Sequence, residues 1–288
     1  ILMSGNTCII KHAPNVFGCS LKIESLIRKN SPFKNIFKSI ICEESKVESI
    51  IKNKFIKGVS LTGSDRAGSI VASYAAKEVK RTVLELGGSD AFIVLEDADI
   101  KKASKTAVMA RFFNSGQSCI AAKRFLVHEN IYDDFISNVE ERIKNLIVGD
   151  ALDEKTQIGP LAKIEFVDQI KKIVDLSIES GAKCVINPVI NNNFFHPVLL
   201  KDVKESMSVF QEETFAPVFC VSKIKDIEEA ISIANNSKYG LGGSVWTSDI
   251  EKGKYIARQD QDDISLPERF ILQLEYIREN NIDLVDTN

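Results

Sequence analysis

Apolar positions along this chain alternate between strand-like runs and helix-like spacing from its first residues onward. Short apolar runs at 8–10, 39–41 and 59–62 read as strands. The stretches 16–28 and 44–52 read as helices, the first with Phe17, Leu21 and Ile27 facing inward, and a further helix runs through Lys77. Strands alternating with helices predict an α/β fold with a parallel sheet, whose ligands sit beyond the carboxyl ends of the strands. Strands at 81–86 and 91–95 follow, and Glu96-Asp97-Ala98-Asp99 is expected to cap a helix over 100–113. The segment 131–147 predicts an amphipathic helix, with Ile131, Phe135, Val139 and Ile143 at four-residue spacing. A polar loop at 149–160 and a helix at 164–179 come next. Strands at 124–127, 183–186, 198–200, 215–222 and 241–246, with helices at 227–236 and from Asp249, complete a second α/β unit. Beyond Arg258 the pattern turns acidic, then predicts a helix from Pro267 with Phe270, Leu274 and Ile277 on one face. No internal repeat interrupts this order.

A length of 288 residues suits one large or two moderate domains with a real core. A net charge of -3 gives no electrostatic reason to expect nucleic acid or an anionic membrane as partner. No apolar run is long enough to span a bilayer, and the first residues lack a charged leader with a cleavage site. The six cysteines, at 8, 19, 42, 119, 184 and 220, have no paired spacing, and the three histidines are dispersed. That argues against a zinc site and against a disulfide framework, so a reducing cytoplasm is the expected setting. His196 reads as structural.

The chemistry gathers around Phe113-Asn114-Ser115-Gly116-Gln117-Ser118-Cys119. A thiol after Gly and small polar residues lies on backbone that can approach a substrate closely. Upstream, Leu84-Glu85-Leu86-Gly87-Gly88 ends an apolar run with a carboxylate and a glycine turn. A thiol nucleophile and a separate carboxylate base suit acyl chemistry, in which water must later be activated to release a thioester. Taken singly, a structural Cys and a surface Glu are the better explanation of these residues. Gly63-Ser64-Asp65-Arg66-Ala67-Gly68 is a strand-to-helix turn whose N–H groups suit a pyrophosphate, though it is neither Gly-x-Gly-x-x-Gly nor a P-loop.

Together, Glu85-Leu86-Gly87-Gly88 and Gly116-Gln117-Ser118-Cys119 closely resemble the active-site pair of the aldehyde dehydrogenase superfamily. Glu212-Glu213-Thr214-Phe215-Ala216-Pro217 is similar to a further signature of that family. Lys11-His12-Ala13-Pro14-Asn15-Val16 with Gly18-Cys19 resembles the cofactor-binding strand end of its succinate-semialdehyde dehydrogenase branch. The resemblance implies a partial Rossmann-like dinucleotide-binding domain over 1–85, an α/β catalytic domain over 86–258 and a divergent tail over 259–288.

It also implies roles. Cys119 attacks an aldehyde, hydride passes to NAD or NADP, and Glu85 activates the water that releases the acid, with the Cys119 N–H as one oxyanion donor. Lys11 meets the adenosine ribose within the segment Lys11, His12, Ala13 and Pro14, while Gly63 and Ser64 meet the phosphates. Gly68 and Leu86 belong to the same cofactor set, Glu213 holds the nicotinamide ribose, and Phe215 packs beside it. NAD-preferring relatives often carry a Glu where Pro14 stands; without its repulsion of a 2′-phosphate, NADP is expected to be tolerated alongside NAD. Some relatives hold a substrate carboxylate with an Arg six residues before the nucleophile; that place is Phe113 here, and Arg111 lies two residues earlier.

The family's second oxyanion donor, an Asn in an upstream Trp-Asn segment, and its downstream Pro-Phe-Gly-Gly segment are not in this sequence. The chain is therefore expected to be an internal piece of a longer enzyme, truncated at both ends. The family is usually homo-oligomeric, and the elements for that are expected to be missing. The competing readings are an inactive remnant that binds a nucleotide or a partner, and a Cys hydrolase indifferent to NAD.

Overall fold

The computed structural model describes residues 1–253; the expected tail helix from Pro267 lies outside them. The chain separates into two compact units, Ile1–Leu86 and a second that begins at Gly87.

The first unit contains β1 (Cys8–Lys11), α1 (Phe17–Asn30), β2 (Phe37–Ile40), α2 (Val47–Lys52), β3 (Gly58–Thr62), α3 (Asp65–Lys77) and β4 (Arg81–Glu85). Its strands pair in parallel, β1 with β2 and β3 with β4, each pair bridged by a helical crossover. They form two separate two-stranded sheets where the sequence predicts one. Its small apolar cluster is Ile51, Val71 and Ala75, with Val47, Val59, Leu61 and Tyr74 packed around it.

The expected inward face of α1 is wrong. Phe17 and Leu21 are exposed, and the buried residues are Ser20 and Glu24. Polar bonds tie this helix to β2. Glu24 accepts from the Ser39 N–H at 2.8 Å and from Lys38 Nζ at 2.8 Å, and the Ser20 and Ser39 hydroxyls meet at 2.6 Å. Helical spacing of apolar residues identified the helix but not the face it buries.

The second unit contains β5 (Asp90–Val94), α4 (Ile100–Phe112), β6 (Ala122–His128), α5 (Tyr132–Lys144), α6 (Ile164–Glu179), β7 (Lys183–Ile186), β8 (Ile190–Asn191), β9 (Phe194–Phe195), β10 (Val198–Lys201), α7 (Ser208–Gln211), β11 (Val218–Ile224), α8 (Ile227–Asn235), β12 (Gly243–Trp246) and α9 (Ile250–Gly253). Its six-stranded sheet runs β12-β5-β6-β11-β10-β7. All neighbours are parallel except β10 with β7. The link between those two is short and holds only the β8–β9 hairpin, so no helical crossover returns the chain to a parallel start.

The central strands are buried on both faces, as a parallel sheet covered by helices requires. Ala91 and Ile93 of β5 point to one core with Val167, Ile170 and Val174 of α6 and Ala230 of α8. Phe92 and Val94 point to the other with Val108 and Phe112 of α4 and Phe135, Val139 and Ile143 of α5. The spacing that predicts α5 therefore also names its buried face. Phe125 and Phe219 stack across β6 and β11 with ring centroids 3.7 Å apart.

Of the acidic run before α4, Asp99 is the cap, accepting from the Lys102 N–H at 3.0 Å. Asp97 does other work: it accepts from the Thr247 hydroxyl and from the N–H groups of Ser248 and Asp249, closing the loop after β12. No described helix is long and apolar enough to cross a membrane.

One strained position offers a stability test. Val79, just beyond α3, has φ +53° and is 95% exposed. Left-handed backbone costs a β-branched residue about 1–2 kcal/mol, and here no burial offsets it. Val79→Gly should stabilise the chain by roughly 0.5–1 kcal/mol after the added backbone entropy of glycine. Urea unfolding of both chains measures this; a loss of stability contradicts the strain.

Candidate functional site

In the second unit the predicted residues cluster at the amino ends of β5, β6 and β11, not the carboxyl ends. Three successive left-handed residues, Asn114, Ser115 and Gly116 (φ +50°, +58° and +74°), turn the chain sharply after α4. A Cβ at position 116 would meet the Ala216 carbonyl and lie 2.9 Å from the Arg111 guanidinium, so space as well as φ demands glycine there. Side chains then fasten the loop. The Ser115 hydroxyl accepts from the Gly159 N–H at 2.9 Å, and the Gln117 amide spans to the Pro160 carbonyl (3.3 Å) and the Ala162 N–H (2.8 Å). The polar loop predicted at 149–160 thereby becomes a support for the loop that carries Cys119.

Two buried cations hold the underside. Arg111 is fully buried and donates to the carbonyls of Ala122 (3.1 Å), Thr214 (2.6 Å) and Ala216. It is sealed in protein and offers no cation to a substrate; Phe113 is exposed. Lys123, 1% exposed, donates to the carbonyls of Ser118 (3.1 Å), Cys119 (3.2 Å) and Ala121 (3.1 Å). Its ammonium also lies 3.6 Å from Glu213 Oε1, which accepts from the Gly88 N–H at 3.1 Å. A Cβ on Gly88 would approach the Cys119 carbonyl to 2.5 Å, and one on Gly87 would strike the Glu213 carboxylate. Cys119, Lys123, Glu213 and the glycine turn thus share one small volume.

Burial pushes the Lys123 ammonium down to about 8, the Arg111 charge acts the same way, and Glu213, Asp90 and Cys119 oppose them. Cys119 is half-buried, whereas Cys220 is enclosed within β11 and burial pushes its thiol up to about 11. One thiol can meet a reagent and the other cannot. Phe215 stays partly exposed beside the buried Thr214.

In the first unit the predicted residues do occupy carboxyl ends of parallel strands. Thr62 and Glu85 are in register at the ends of β3 and β4, and the Gly63 N–H donates to the Glu85 carbonyl at 2.9 Å. Glu85 is exposed. Ser64 is the N-cap of α3, its hydroxyl accepting from the Ala67 N–H at 3.3 Å. Gly68 is buried in α3, where a Cβ would come within 2.5 Å of Leu86 Cδ2; packing against Leu86 accounts for this glycine. Lys11 ends β1, its ammonium 3.4 Å from the His12 carbonyl, while Ala13 and Pro14 are exposed. The Ala13 N–H donates to His12 Nδ1 at 2.8 Å. The sequence reading missed Lys123 altogether. Lys123-Arg124 stands near the head of a seven-residue strand that is buried throughout, which only the structure reveals.

Among the described residues, no group of three or more His, Cys, Asp or Glu side chains converges to hold a metal. The model of the aldehyde dehydrogenase family matches residues 1–261, and the chain belongs to that family. Among its relatives, a succinate-semialdehyde dehydrogenase (NADP+) of Mycobacterium avium is 43% identical over 274 residues, covering 94% of this chain and 57% of that protein. An aldehyde dehydrogenase of Paenarthrobacter nicotinovorans is 41% identical, covering 89% and 57%. The chain therefore spans little more than half the length of these relatives. In solved structures it is similar to Gox0499 (TM-score 0.85, 40% identity, 88% of this chain and 56% of that one). It is also similar to lactaldehyde dehydrogenase from Escherichia coli (TM-score 0.83, 32% identity, 87% and 54%).

Two outcomes follow from this geometry. Gly116→Ala should cost about 2–4 kcal/mol of stability, because it adds left-handed strain to a clash with backbone; a chain that unfolds like the parent in urea contradicts the packing. Lys123 makes stability depend on pH with a definite sign. Below about pH 8 it is protonated both folded and unfolded; above that the folded chain releases the proton first, and the unfolded chain keeps it until near 10.5. Its contribution to stability therefore rises with pH across that window. The parent should gain on Lys123→Met between about pH 7.5 and about pH 9.5 in urea unfolding; an unchanged difference refutes the shift.

Proposed function

We propose that the chain carries the chemistry of an NAD(P)-dependent aldehyde dehydrogenase, oxidising an aldehyde to its carboxylic acid through a thioester on Cys119. The observation that carries this reading is the half-buried Cys119 on a loop fixed from below by Lys123 and Arg111, next to Glu213. Family membership supports it. The residues present fit a dinucleotide. Gly63 and Ser64 open the N-terminus of α3 at a strand end, where a phosphate is favoured. Among the described residues the Lys11 ammonium hydrogen-bonds only the His12 carbonyl, which leaves it donors for ribose hydroxyls. His12, Ala13 and Pro14 continue that strand end, Leu86 follows Glu85, and Glu213 with Phe215 would take the nicotinamide ribose.

Bound oxidised nicotinamide supplies the two-electron acceptor. Cys119 Sγ adds to the aldehyde carbon, and the Cys119 N–H supports the developing oxyanion. The oxidised adduct is a thioester at Sγ. Glu85 takes a proton from the water that displaces the thiol, and the acid departs.

Succinate semialdehyde is the substrate we favour, supported by the name of a relative at 43% identity. Arg111 does not contribute to that choice, being sealed among carbonyls. With Pro14 in place of an acidic residue, NADP binds alongside NAD. The small aldehyde is the partner expected, with the cytoplasm as a compartment that keeps six free thiols reduced.

Cys119→Ala should lower aldehyde-dependent formation of reduced nicotinamide by at least about 10³-fold, read at its absorbance band. Turnover equal to the parent would remove Cys119 as the nucleophile. Glu85→Gln should leave a first burst of reduced nicotinamide and slow the steady rate by about 10²–10⁴-fold; an unaltered steady rate would transfer the base role elsewhere. If the purified chain binds NADP in a fluorescence titration but yields no burst with any aldehyde, it is a nucleotide-binding module and the catalytic proposal fails.

A further inference from the structure

The reaction above uses Cys119 and Glu213 but leaves the cation between them without a task. We propose that Lys123 is a positioning residue whose ammonium ties the carbonyls of Ser118 and Cys119 to the Glu213 carboxylate, so that a change at Glu213 is felt at the nucleophile. Its place in the reaction rests on the function proposed above; the mechanical link rests on contacts alone.

Those contacts are unusual in kind. Three carbonyl acceptors from four consecutive residues, 118, 119 and 121, converge on one nitrogen that is itself 1% exposed. A loop with that many inward carbonyls needs a donor beneath it, because buried acceptors without partners cost free energy. Any apolar-stemmed cation would meet that need. What marks Lys123 as a link is the fourth neighbour, Glu213 Oε1 at 3.6 Å, ninety residues away in sequence and with its side chain 19% exposed. Glu213 is also bonded to the Gly88 N–H, and the space of Gly88 abuts the Cys119 carbonyl. Nucleophile loop, carboxylate and glycine turn therefore close a ring through Lys123. A ligand that engages Glu213 draws charge away from the ammonium, which then turns more fully toward the loop carbonyls. The groups facing Lys123 are Arg111 from α4, Asp90 from β5, Glu213 from the segment before β11, and Cys119 on the loop itself. Since the ammonium loses its proton near pH 8, the link is present at neutral pH and weakens above it.

The test is the rate at which iodoacetamide alkylates Cys119 in the full chain, located by peptide mass mapping because Cys19 is exposed and Cys8, Cys42 and Cys184 are half-buried like Cys119. No nucleotide is added. At about pH 7, Glu213→Gln should change that rate by about threefold or more when Lys123 is present, and leave it unchanged in a Lys123→Met background. Lys123→Arg should retain part of the sensitivity, being still charged. In the unsubstituted background the effect of Glu213→Gln should fade by about pH 9.5. An effect of Glu213→Gln that is the same with and without Lys123, or the same at both pH values, overturns the link. Should Lys123→Met fail to fold, the pH arm decides alone. NADP enters only as a second arm: it should alter Cys119 alkylation in the parent and do so by less than about half as much in Lys123→Met. Failure of the parent to bind NADP sinks the proposed function and leaves the nucleotide-free result to judge Lys123.

Discussion

Backbone carbonyls turned away from water are the constraint around which the second unit is arranged. Between α4 and β6 the chain turns through three left-handed residues and carries the half-buried thiol of Cys119. That path points the carbonyls of residues 118, 119, 121 and 122 toward two buried side chains. Arg111 and Lys123 are the answer, two long cations that donate to six carbonyls from the Cys119 loop, the first residue of β6 and the segment before β11. Isolated ions in a core are costly, and here that cost is met by hydrogen bonds to carbonyl dipoles, with the carboxylates of Glu213 and Asp90 nearby. Glycine completes the arrangement at Gly87, Gly88 and Gly116, each in a place where a methyl group would strike an oxygen.

The second unit can carry such a loop because the rest of it is rigid. Four parallel strands buried on both faces, β5, β6, β11 and β10, provide a base from which α4, the loop and the segment before β11 all start at fixed positions. Residues far apart in the chain, such as Gly88, Cys119 and Glu213, meet because they precede neighbouring strands of one sheet. The first unit is built on a different balance. Its helix α1 rests on β2 through Glu24 and two serines, and its apolar cluster is small. The residues that resemblance assigns to phosphates and ribose fall at its strand ends, with Ser64 capping α3.

Much of this was legible in the residues themselves. Element order, the α/β class and the α5 face follow from local patterning, because burial of an apolar face by a helix or strand leaves its period in the sequence. Identities and order of Glu85, Cys119 and Glu213 were enough to indicate the family, since side-chain chemistry is written one residue at a time. Tertiary structure alone decided that α1 buries a carboxylate in place of its leucine, that β7 runs against its neighbour, and that the strands of the first unit form two sheets. It alone sealed Arg111 among carbonyls and placed Lys123 under Cys119. The reason is physical: a pattern records which residues prefer to leave water, whereas the partner of a buried charge is chosen by whichever distant segment the fold brings to it.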